Sequence, residues 1–518
     1  MSPPRFDDNR GVLLAVFSGI LLALSFPKFG HPAFAWMALT PLLVVLGGPV
    51  STRRAFVLGL TAGLVYFGGT LYWLTSVMTM YGGLPAWVAV PLNAAFVAYL
   101  ALFPAICAMV MRRLVMAHGA QALMAAPLVW VATELGRAHI MTGFPWVLVG
   151  YSQTSVLPVA QLSSLLGVYG VSALVVGVSA AAAVVAVSVG DKKTWGPASA
   201  GPYVPAAVML ALVVGVTVWG GLRVARTEWT SAGDPVRVGL IQGNVDQAQK
   251  WDPALSASIF RDYLRLTTQA IREGAQLVLW PESSTPFRFD DDPASADLIR
   301  TIARQARVPI LVGSDQVDRG SAAKYYNAAF LVGDDGATVG VYRKMHLVPW
   351  GEYVPLRRVL FFVGPLVETV SDFSPGDRAV VWPVRGHSMS TAICYEIVYP
   401  DLVRRFVVGG SELLTTITND AWFGATSAPL QHFEQASMRA IETGRYLVRA
   451  ANTGISGIVD PYGRVLARSE IYQSAVVVGD ARFLQTMTLY TRIGDVFAYA
   501  CVVMTAALLL LTRRRVRT

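Results

Sequence analysis

Eight long apolar segments constrain the fold of this chain more than any other feature of its sequence. Seven precede residue 221 and one follows residue 494. They cover approximately residues 11–27, 33–49, 55–75, 86–111, 121–136, 158–189, 203–220 and 495–512. A helix of about 17–25 apolar residues is long enough to cross a bilayer. The chain is also 54% hydrophobic and only 14% charged, which is unusual for a soluble protein. The sequence therefore predicts eight transmembrane helices.

Basic residues at the ends of these segments predict how the chain is oriented. They cluster at alternate ends of successive segments, at Arg5/Arg10, Arg53/Arg54, Arg112/Arg113, Lys192/Lys193 and Arg513/Arg514/Arg515/Arg517. Lys and Arg beside membrane spans usually remain on the cytoplasmic side. We therefore expect both termini to be cytoplasmic and the long stretch 221–494 to lie on the outer side. The first segment also resembles a signal-peptide core, but no small-x-small cleavage site follows it, so we expect it to be retained.

The chain is expected to have three parts: a transmembrane domain of seven spans (1–220), an extramembrane domain (221–494), and the eighth span with a basic tail (495–518). The extramembrane part alternates between strand-like and helix-like segments. Predicted strands cover 237–242, 276–280, 308–313, 327–332, 338–342, 380–382, 389–393, 413–418, 446–451, 455–459 and 475–480, and predicted helices cover 253–272, 297–306, 402–408 and 428–443. About 270 residues with this alternation indicate an α/β core of two or four layers.

Charge and motif content exclude several classes of partner. Residues 221–494 contain 28 Lys/Arg and 28 Asp/Glu, so the whole net charge of +9 belongs to the apolar part and does not form a nucleic-acid-binding surface. His346, His387 and His432 show no metal-ligand spacing, and the chain has no GxGxxG or P-loop motif. We expect no metal, no cofactor and no nucleic acid.

One of the three cysteines stands where a nucleophile is expected. Cys107 and Cys501 fall inside apolar segments, whereas Cys394 ends the small, β-compatible run Met389–Ile393. A turn between a strand and a helix holds a reactive side chain rigidly at the edge of a sheet. A thiol of ordinary pKa ~8.5 is mostly protonated at neutral pH and needs a base or a cation nearby. Cys394 alone is also compatible with a buried filler residue.

Two other strand ends supply the missing groups. Glu282 follows the apolar strand 276–280, and Lys344 follows the strand 338–342. A charge at a strand end is more often a surface residue, but the three side chains together form a chemically complete set. Glu282 is expected to take the thiol proton and Lys344 to stabilise the thiolate and the later oxyanion, while Cys394 attacks a carbonyl.

The motifs around these residues resemble the nitrilase superfamily. They are WPE (280–282), YRKMHL (342–347) and CYE (394–396), each preceded by a strand. The resemblance implies an α-β-β-α sandwich with a Glu-Lys-Cys triad. The motifs GEYVP (351–355) and NDAWFG (419–424), together with the eight spans, extend the resemblance over the whole chain to the apolipoprotein N-acyltransferases of the bacterial inner membrane.

This resemblance implies a role for several residues. Glu282 corresponds to the general base, Lys344 to the oxyanion stabiliser and Cys394 to the acylated nucleophile. Glu352 corresponds to a second carboxylate that supports the triad, and Trp251 to an aromatic residue near the substrate. Two further residues are implied to shape the pocket beside the thioester: Tyr395 and Glu396.

The resemblance also implies the substrates and the location. The acyl donor is expected to be a membrane phospholipid, and the acceptor the α-amino group of a diacylated apolipoprotein. The catalytic domain is expected on the periplasmic side of the inner membrane, in a monomer. The apolar run 359–367 follows the lysine loop, and we expect Phe361 and Phe362 on this arm to face lipid and guide an acyl chain.

Two other functions remain compatible with parts of the sequence. A membrane-anchored nitrilase-type amidase has the same triad with water as the acceptor, although one anchor would suffice for it. A transporter or a receptor with an outer sensory domain has many spans but needs polar residues within them. Such residues are few here: Asn93, Gln121, Glu134 and Gln161.

Overall fold

The computed structural model describes residues 8–190, 201, 203–320, 323–349, 351–353 and 372–515. The chain divides into two compact units. The helical unit comprises Met1–Thr75, Trp87–Arg226 and Ile493–Thr518, and the α/β unit comprises Ser76–Ala86 and Thr227–Arg492. The division falls after Arg226 and after Arg492. The sequence analysis includes Ser76–Ala86 in the transmembrane part, whereas in the structure this segment groups with the α/β unit.

The first ten α-helices follow the order of the apolar segments. They are α1 (Asp8–Ala23), α2 (Ala35–Ala38), α3 (Thr40–Gly47), α4 (Thr52–Thr70), α5 (Trp73–Met80), α6 (Ala86–His118), α7 (Ala126–His139), α8 (Leu157–Ala160), α9 (Ser163–Gly190) and α10 (Val204–Arg226). Short 3-10 turns join several of them, at Pro32–Phe34, Ala120–Ala125, Ile140–Thr142 and Val149–Gln153.

The structure confirms the predicted membrane spans only in part. Among the described residues, three helices are long and apolar enough to cross a membrane: Ala86–His118, Ser163–Val189 and Val204–Ser231. The pair Thr52–Thr70 and Trp73–Met80 qualifies as a fourth if its 54° bend lies within one span. The other apolar segments form shorter helices or helices interrupted by 3-10 turns. The count of eight spans therefore stays a prediction.

Polar residues inside the helical unit bind neighbouring parts of that unit. Asn93 Nδ2 donates to Thr75 Oγ1 at 3.0 Å. Glu134 Oε1 accepts the Val149 backbone N–H at 2.8 Å. Gln161 Oε1 accepts from Arg223 Nε at 3.2 Å. These hydrogen bonds join helices and loops of the helical unit, so the three side chains stabilise its packing. They give no support to a polar transport pathway.

In the part of the α/β unit that the structure describes, there are twelve strands and six further helices. The strands are β1 (Pro235–Gln242), β2 (Leu277–Leu279), β3 (Ile310–Asp318), β4 (Lys324–Val332), β5 (Thr338–Arg343), β6 (Trp382–Val384), β7 (His387–Ile393), β8 (Leu413–Thr418), β9 (Leu447–Ala451), β10 (Gly457–Val459), β11 (Val465–Arg468) and β12 (Ala475–Arg482). The helices are α11 (Glu228–Ser231), α12 (Pro253–Arg272), α13 (Pro293–Ala306), α14 (Pro400–Val408), α15 (Ala428–Thr443) and α16 (Leu489–Ile493). The chain then returns to the helical unit in α17 (Val496–Arg515).

The twelve strands form two six-stranded sheets with the same plan. Their orders are β12-β1-β2-β3-β4-β5 and β11-β10-β9-β8-β7-β6. Each sheet has three parallel strands at its centre, β1-β2-β3 in one and β7-β8-β9 in the other, with antiparallel strands outside them. Side chains that follow parallel strands gather at the carboxyl edge of the sheet, which is where α/β proteins bind ligands.

Helices cover the sheets in a four-layer α-β-β-α arrangement. Phe260 and Tyr263 of α12 and Ile299 of α13 pack with Trp280 and Phe330 of the first sheet in one buried apolar cluster. On the second sheet, α15 packs against β9, and α14 packs against α15. Between the sheets, β1 contacts β9 and β4 contacts β7. The four-layer alternative of the sequence analysis is the one observed.

Candidate active site

The structure brings the first two predicted triad residues into direct contact. Lys344 Nζ lies 3.3 Å from Glu282 Oε1, and both side chains are almost completely buried. Cys394 follows β7 directly and is also buried. The charges of Glu282 and Lys344 both act on the Cys394 thiol. Glu282, Lys344 and Cys394 thus form one group, although they span 112 positions of the sequence. The strands that precede them, β2, β5 and β7, end close to one another.

Glu282 is held by donors from three directions. Its Oε1 accepts from Asn327 Nδ2 at 2.7 Å as well as from Lys344, and its Oε2 accepts the Asn419 backbone N–H at 2.8 Å. Burial alone would raise the pKa of this carboxyl, but Lys344, Asn327 and the other donors lower it below the ordinary value of 4.5. Glu282 is therefore an ionised carboxylate at neutral pH, ready to accept a proton.

Lys344 is shared between two carboxylates. Its Nζ lies 2.8 Å from Glu352 Oε1, and Asn327 Nδ2 donates to this same oxygen at 2.7 Å. Glu352 Oε2 accepts the Val348 backbone N–H at 2.7 Å. Burial opposes the charge of Lys344, but Glu352 and Glu282 raise its pKa above the ordinary value of 10.5. Lys344 is therefore a fixed ammonium group.

Cys394 stands in an uncommon backbone conformation that a second network maintains. Its φ is +54°, in the left-handed region that non-glycine residues rarely adopt. The Cys394 carbonyl accepts from His432 Nε2 at 3.2 Å, and His432 Nδ1 faces Asp420 Oδ1 at 3.0 Å. Arg449 Nη2 donates to Asp420 Oδ2 at 2.8 Å. These three partners of the turn are completely buried.

The Cys394 thiol is not a free thiolate in this environment. Burial and the Glu282 carboxylate raise its pKa above the ordinary value of 9.0, while Lys344 opposes this rise. A thiol with a raised pKa keeps its proton at neutral pH. Nucleophilic attack by this thiol would therefore require transfer of its proton to a neighbouring base. Glu282 is an ionised carboxylate whose charge acts on the thiol, so it is a candidate for that base.

Glu396 connects the lysine loop to the cysteine turn. Its Oε1 accepts the backbone N–H groups of Met345 and His346 at 2.7 and 3.0 Å, and its Oε2 accepts the Ile393 N–H at 2.8 Å. The Tyr342 hydroxyl lies within hydrogen-bonding distance of both oxygens. The sequence analysis assigns Glu396 to the pocket beside the thioester, whereas the structure places its carboxylate in a fully buried clamp.

The remaining predicted site residues lie at different depths. Tyr395 is buried, and its ring packs edge-on against Tyr399 at 5.2 Å. Trp251 is 51% exposed, and its ring centroid lies 5.7 Å from Lys250 Nζ. Phe361 and Phe362, predicted to face lipid, lie outside the residues that the structure describes. Among the described residues, no group of three or more His, Cys, Asp or Glu could hold a metal ion.

The sequence analysis did not identify three of the groups at this site. Asn327 lies within β4, Lys250 lies in the loop before α12, and His432 was considered only as a metal ligand. One signal was available for Asn327: an amide in the strand 327–332, which is otherwise apolar, is costly to bury unless it has partners. His432 and Lys250 gave no local signal, because their partners come from distant parts of the chain.

Comparisons with known proteins cover almost the whole chain. Residues 18–181 match the family described as apolipoprotein N-acyltransferase N-terminal domain, and residues 237–483 match the carbon-nitrogen hydrolase family. The apolipoprotein N-acyltransferase of Geobacter metallireducens is 42% identical over 99% of this chain and 97% of its own length. That of Methylococcus capsulatus is 36% identical over 94% of this chain and 93% of its own length. A solved amidase from a Nesterenkonia species is 21% identical, with a TM-score of 0.39 over 52% of this chain and 97% of its own.

Proposed function

The chain belongs to the apolipoprotein N-acyltransferase family, so its reaction is the N-acylation of lipoproteins, and we propose that Cys394, Glu282 and Lys344 carry it out. The acyl donor in this proposal is a membrane phospholipid. The acceptor is the α-amino group of the diacylglyceryl-cysteine at the lipoprotein N-terminus. The observation that carries the proposal is the contact of Lys344 with Glu282 beside the turn that presents Cys394.

In the first half of the reaction, Cys394 becomes acylated. Glu282 takes the thiol proton as Cys394 Sγ attacks the ester carbonyl, and Lys344 stabilises the negative oxygen of the tetrahedral intermediate. The C–O bond to the glycerol oxygen then breaks, and Glu282 returns the proton to that oxygen. The products are a thioester on Cys394 and a lysophospholipid.

In the second half, the lipoprotein amine removes the acyl group. Its nitrogen attacks the thioester carbonyl, Glu282 accepts a proton from the nitrogen, and the C–S bond breaks. The proton passes to the sulfur and restores the thiol. The lipoprotein gains a third acyl chain in amide linkage, and each buried CH₂ of that chain strengthens membrane anchoring by about 0.8 kcal/mol.

The protein is a bacterial membrane protein, and we propose that it is a monomer in the inner membrane with residues 221–494 in the periplasm. The support is the distribution of basic residues, which favours cytoplasmic termini. The three-part organisation of 1–220, 221–494 and 495–518 and the lipid-guiding role of Phe361 and Phe362 belong to the same proposal. Chemistry at the membrane surface suits a donor and an acceptor that are both anchored in the bilayer.

Mass spectrometry of the purified protein tests this mechanism. After incubation with phospholipid micelles and no acceptor, we expect an acyl adduct on Cys394 that disappears when a diacylated lipopeptide is added. The Cys394→Ala variant is the control. An unmodified Cys394 in the presence of phospholipid would contradict the transferase mechanism. Multiple-turnover release of lysophospholipid together with free fatty acid, in the absence of any amine, would indicate a reaction in which water is the acceptor.

A further inference from the structure

Lys250 is a buried cation that the reaction described above does not use. It lies in the loop between β1 and α12 and is 4% exposed. Its Nζ donates to the Glu282 backbone carbonyl at 3.4 Å, so it adjoins the residue that carries the general base. Within the described part of the chain, Glu282 and Asp315 act on its charge, but neither forms a salt bridge with it.

The loop that carries Lys250 is fixed to the site by several hydrogen bonds. The Val245 N–H donates to Asn452 Oδ1 at 2.9 Å, and Asn452 Nδ2 donates to the Val245 carbonyl at 2.7 Å. Asn419 Nδ2 donates to Gln247 Oε1 at 2.6 Å, and the backbone N–H of this same Asn419 binds Glu282. Lys250 is therefore held beside the triad by the residues that position the triad.

A lysine in this position is costly without a further partner. Removing an ammonium group from water disfavours it unless an anion or several acceptors replace the lost hydration. An ammonium has three N–H donors. The contacts of Lys250 among the described residues are one long hydrogen bond to a carbonyl and the Trp251 ring at 5.7 Å. This leaves donor capacity next to the place where the substrate reacts.

We propose that Lys250 binds the phosphodiester group of the phospholipid acyl donor, an inference that rests on the proposed function. The phosphodiester is the one permanent anion close to the scissile ester of a phospholipid. It supplies both the negative charge and the acceptor oxygens that Lys250 lacks. The half-exposed Trp251 beside it offers an apolar face to the lipid. Lys250 is then a specificity-determining residue, because it distinguishes a phospholipid from an ester lipid without phosphate.

A comparison of two donors tests this role. The rate of acyl-adduct formation on Cys394 is measured with dioleoyl phosphatidylglycerol and with dioleoylglycerol, each in the same detergent micelles. For Lys250→Met we expect the preference for the phospholipid over dioleoylglycerol to fall by about 10- to 100-fold, which corresponds to one hydrogen bond to a charged group. We expect Lys250→Arg to keep most of the preference, because the positive charge remains. Lys324→Met, at an exposed lysine of β4, is the matched control.

The outcomes separate this inference from the proposed function. If the wild-type protein forms no adduct from the phospholipid, the proposed donor is wrong. If the wild type forms the adduct and Lys250→Met slows both donors equally, Lys250 does not read the phosphate and only this inference is wrong. If the methionine variant fails to fold, Lys250→Arg decides instead. Equal acylation rates of this variant with the phospholipid and with dioleoylglycerol would contradict charge recognition.

Discussion

Lys344 Nζ lies closer to Glu352 than to Glu282, at 2.8 Å against 3.3 Å. This difference assigns distinct work to the two carboxylates. In the proposed reaction, Glu282 becomes neutral when it accepts the thiol proton and loses most of its attraction for the ammonium group. Glu352 takes no part in that proton transfer, and its hydrogen bond continues to hold Lys344 in place. A single carboxylate could not act as the base and also as the permanent counter-ion.

The Glu352→Gln variant tests this division. We expect the rate of Cys394 acylation to fall by about 100-fold, comparable to the loss of one oxyanion donor, because Lys344 loses its permanent partner. The rate is measured by intact-protein mass spectrometry at saturating phospholipid. Glu273→Gln, near the end of α12 at an exposed position, is the matched control. Acylation of Glu352→Gln at the wild-type rate would contradict the role given to Glu352.

The pH dependence of thiol reactivity is a second prediction. Burial and Glu282 raise the pKa of Cys394 above 9.0. The thiol therefore stays protonated as the pH rises from 7 to 9, and we expect its alkylation by iodoacetamide to increase little over this range. Peptide mass spectrometry at Cys394 provides the measurement, with Cys394→Ala to exclude the other cysteines. A sharp increase centred near pH 8.5 would show an ordinary, exposed thiol instead.

The triad residues and the residues that contact them differ in how well the sequence predicts them. Glu282, Lys344 and Cys394 each follow a strand, and their complementary chemistry as base, cation and nucleophile was enough to group them. Helices α12 and α15 were also predicted with the observed bounds, and both have Pro in the first turn. In contrast, β11 was missed, since Val465–Arg468 has only four residues and is mostly exposed.

The partners of the triad were not predictable in the same way. Asn327 contacts Glu282 and Glu352 through the pairing of β4 with its neighbours, which depends on the register of the sheet. His432 lies in a helix whose side chains from Ala428 to Thr443 are nearly all buried, so its environment gives no amphipathic pattern that marks it. The contacts of Asn327 with Glu282 and Glu352 join residues 45 and 25 positions apart, and that of His432 with the Cys394 carbonyl joins residues 38 apart. Only tertiary packing brings these residues together.

His432 is predicted to position the nucleophile. A carbonyl only accepts, so the Cys394 carbonyl requires a hydrogen on His432 Nε2. This bond helps to hold the positive φ of Cys394, a conformation that costs about 1–3 kcal/mol. We expect His432→Asn to lower the rate of acylation at saturating lipid by about 10- to 100-fold, because its shorter amide does not reach the carbonyl.

The longer His432→Gln variant separates positioning from general stability. Its amide nitrogen can replace Nε2 as the donor, so we expect it to recover most of the acylation rate while the lipid dependence of both variants stays that of the wild type. Thermal unfolding is measured in parallel. Equal rates for the Asn and Gln variants would contradict a role for this hydrogen bond.

Glu396 is predicted to make stability depend on pH. Burial raises its pKa from 4.5 to about 7, so between these values the folded protein binds more protons at this group than the unfolded chain does. The contribution of Glu396 to the free energy of unfolding therefore falls as the pH rises from about 4.5 to 7. Glu396→Gln removes this slope and, by placing an amide NH₂ where one oxygen accepts the Ile393 N–H, should destabilise the protein by about 1–3 kcal/mol at pH 5. Thermal unfolding at pH 5, 6, 7 and 8 checks both effects, and an unchanged slope in the variant would contradict the assignment.

Tyr81 is predicted to support the turn that holds Glu282. It lies in Ser76–Ala86, the segment that groups with the α/β unit although it follows α4 in the chain. Its hydroxyl donates to the Ala421 carbonyl at 2.9 Å, and its ring packs edge-on against Trp422 at 5.2 Å. The same turn begins at Asn419, whose N–H binds Glu282.

Because the hydroxyl and the ring contribute separately, two substitutions of Tyr81 should differ in a graded way. Tyr81→Phe removes one hydrogen bond, worth about 1 kcal/mol, and keeps the ring. Tyr81→Ala also removes the aromatic contact with Trp422, which is worth about 0.5–1.5 kcal/mol more. Hydrogen exchange of the 419–424 amides should therefore be faster in the Phe variant and faster again in the Ala variant. Tyr99→Phe, which removes a similar bond to the Ile140 carbonyl in the helical unit, is the control and should leave these amides unchanged. If exchange at 419–424 is the same in wild type and Tyr81→Ala, the segment Ser76–Ala86 does not stabilise the turn. The position of Asn419 would then depend on its hydrogen bonds with Asn452, Gln247 and Glu282.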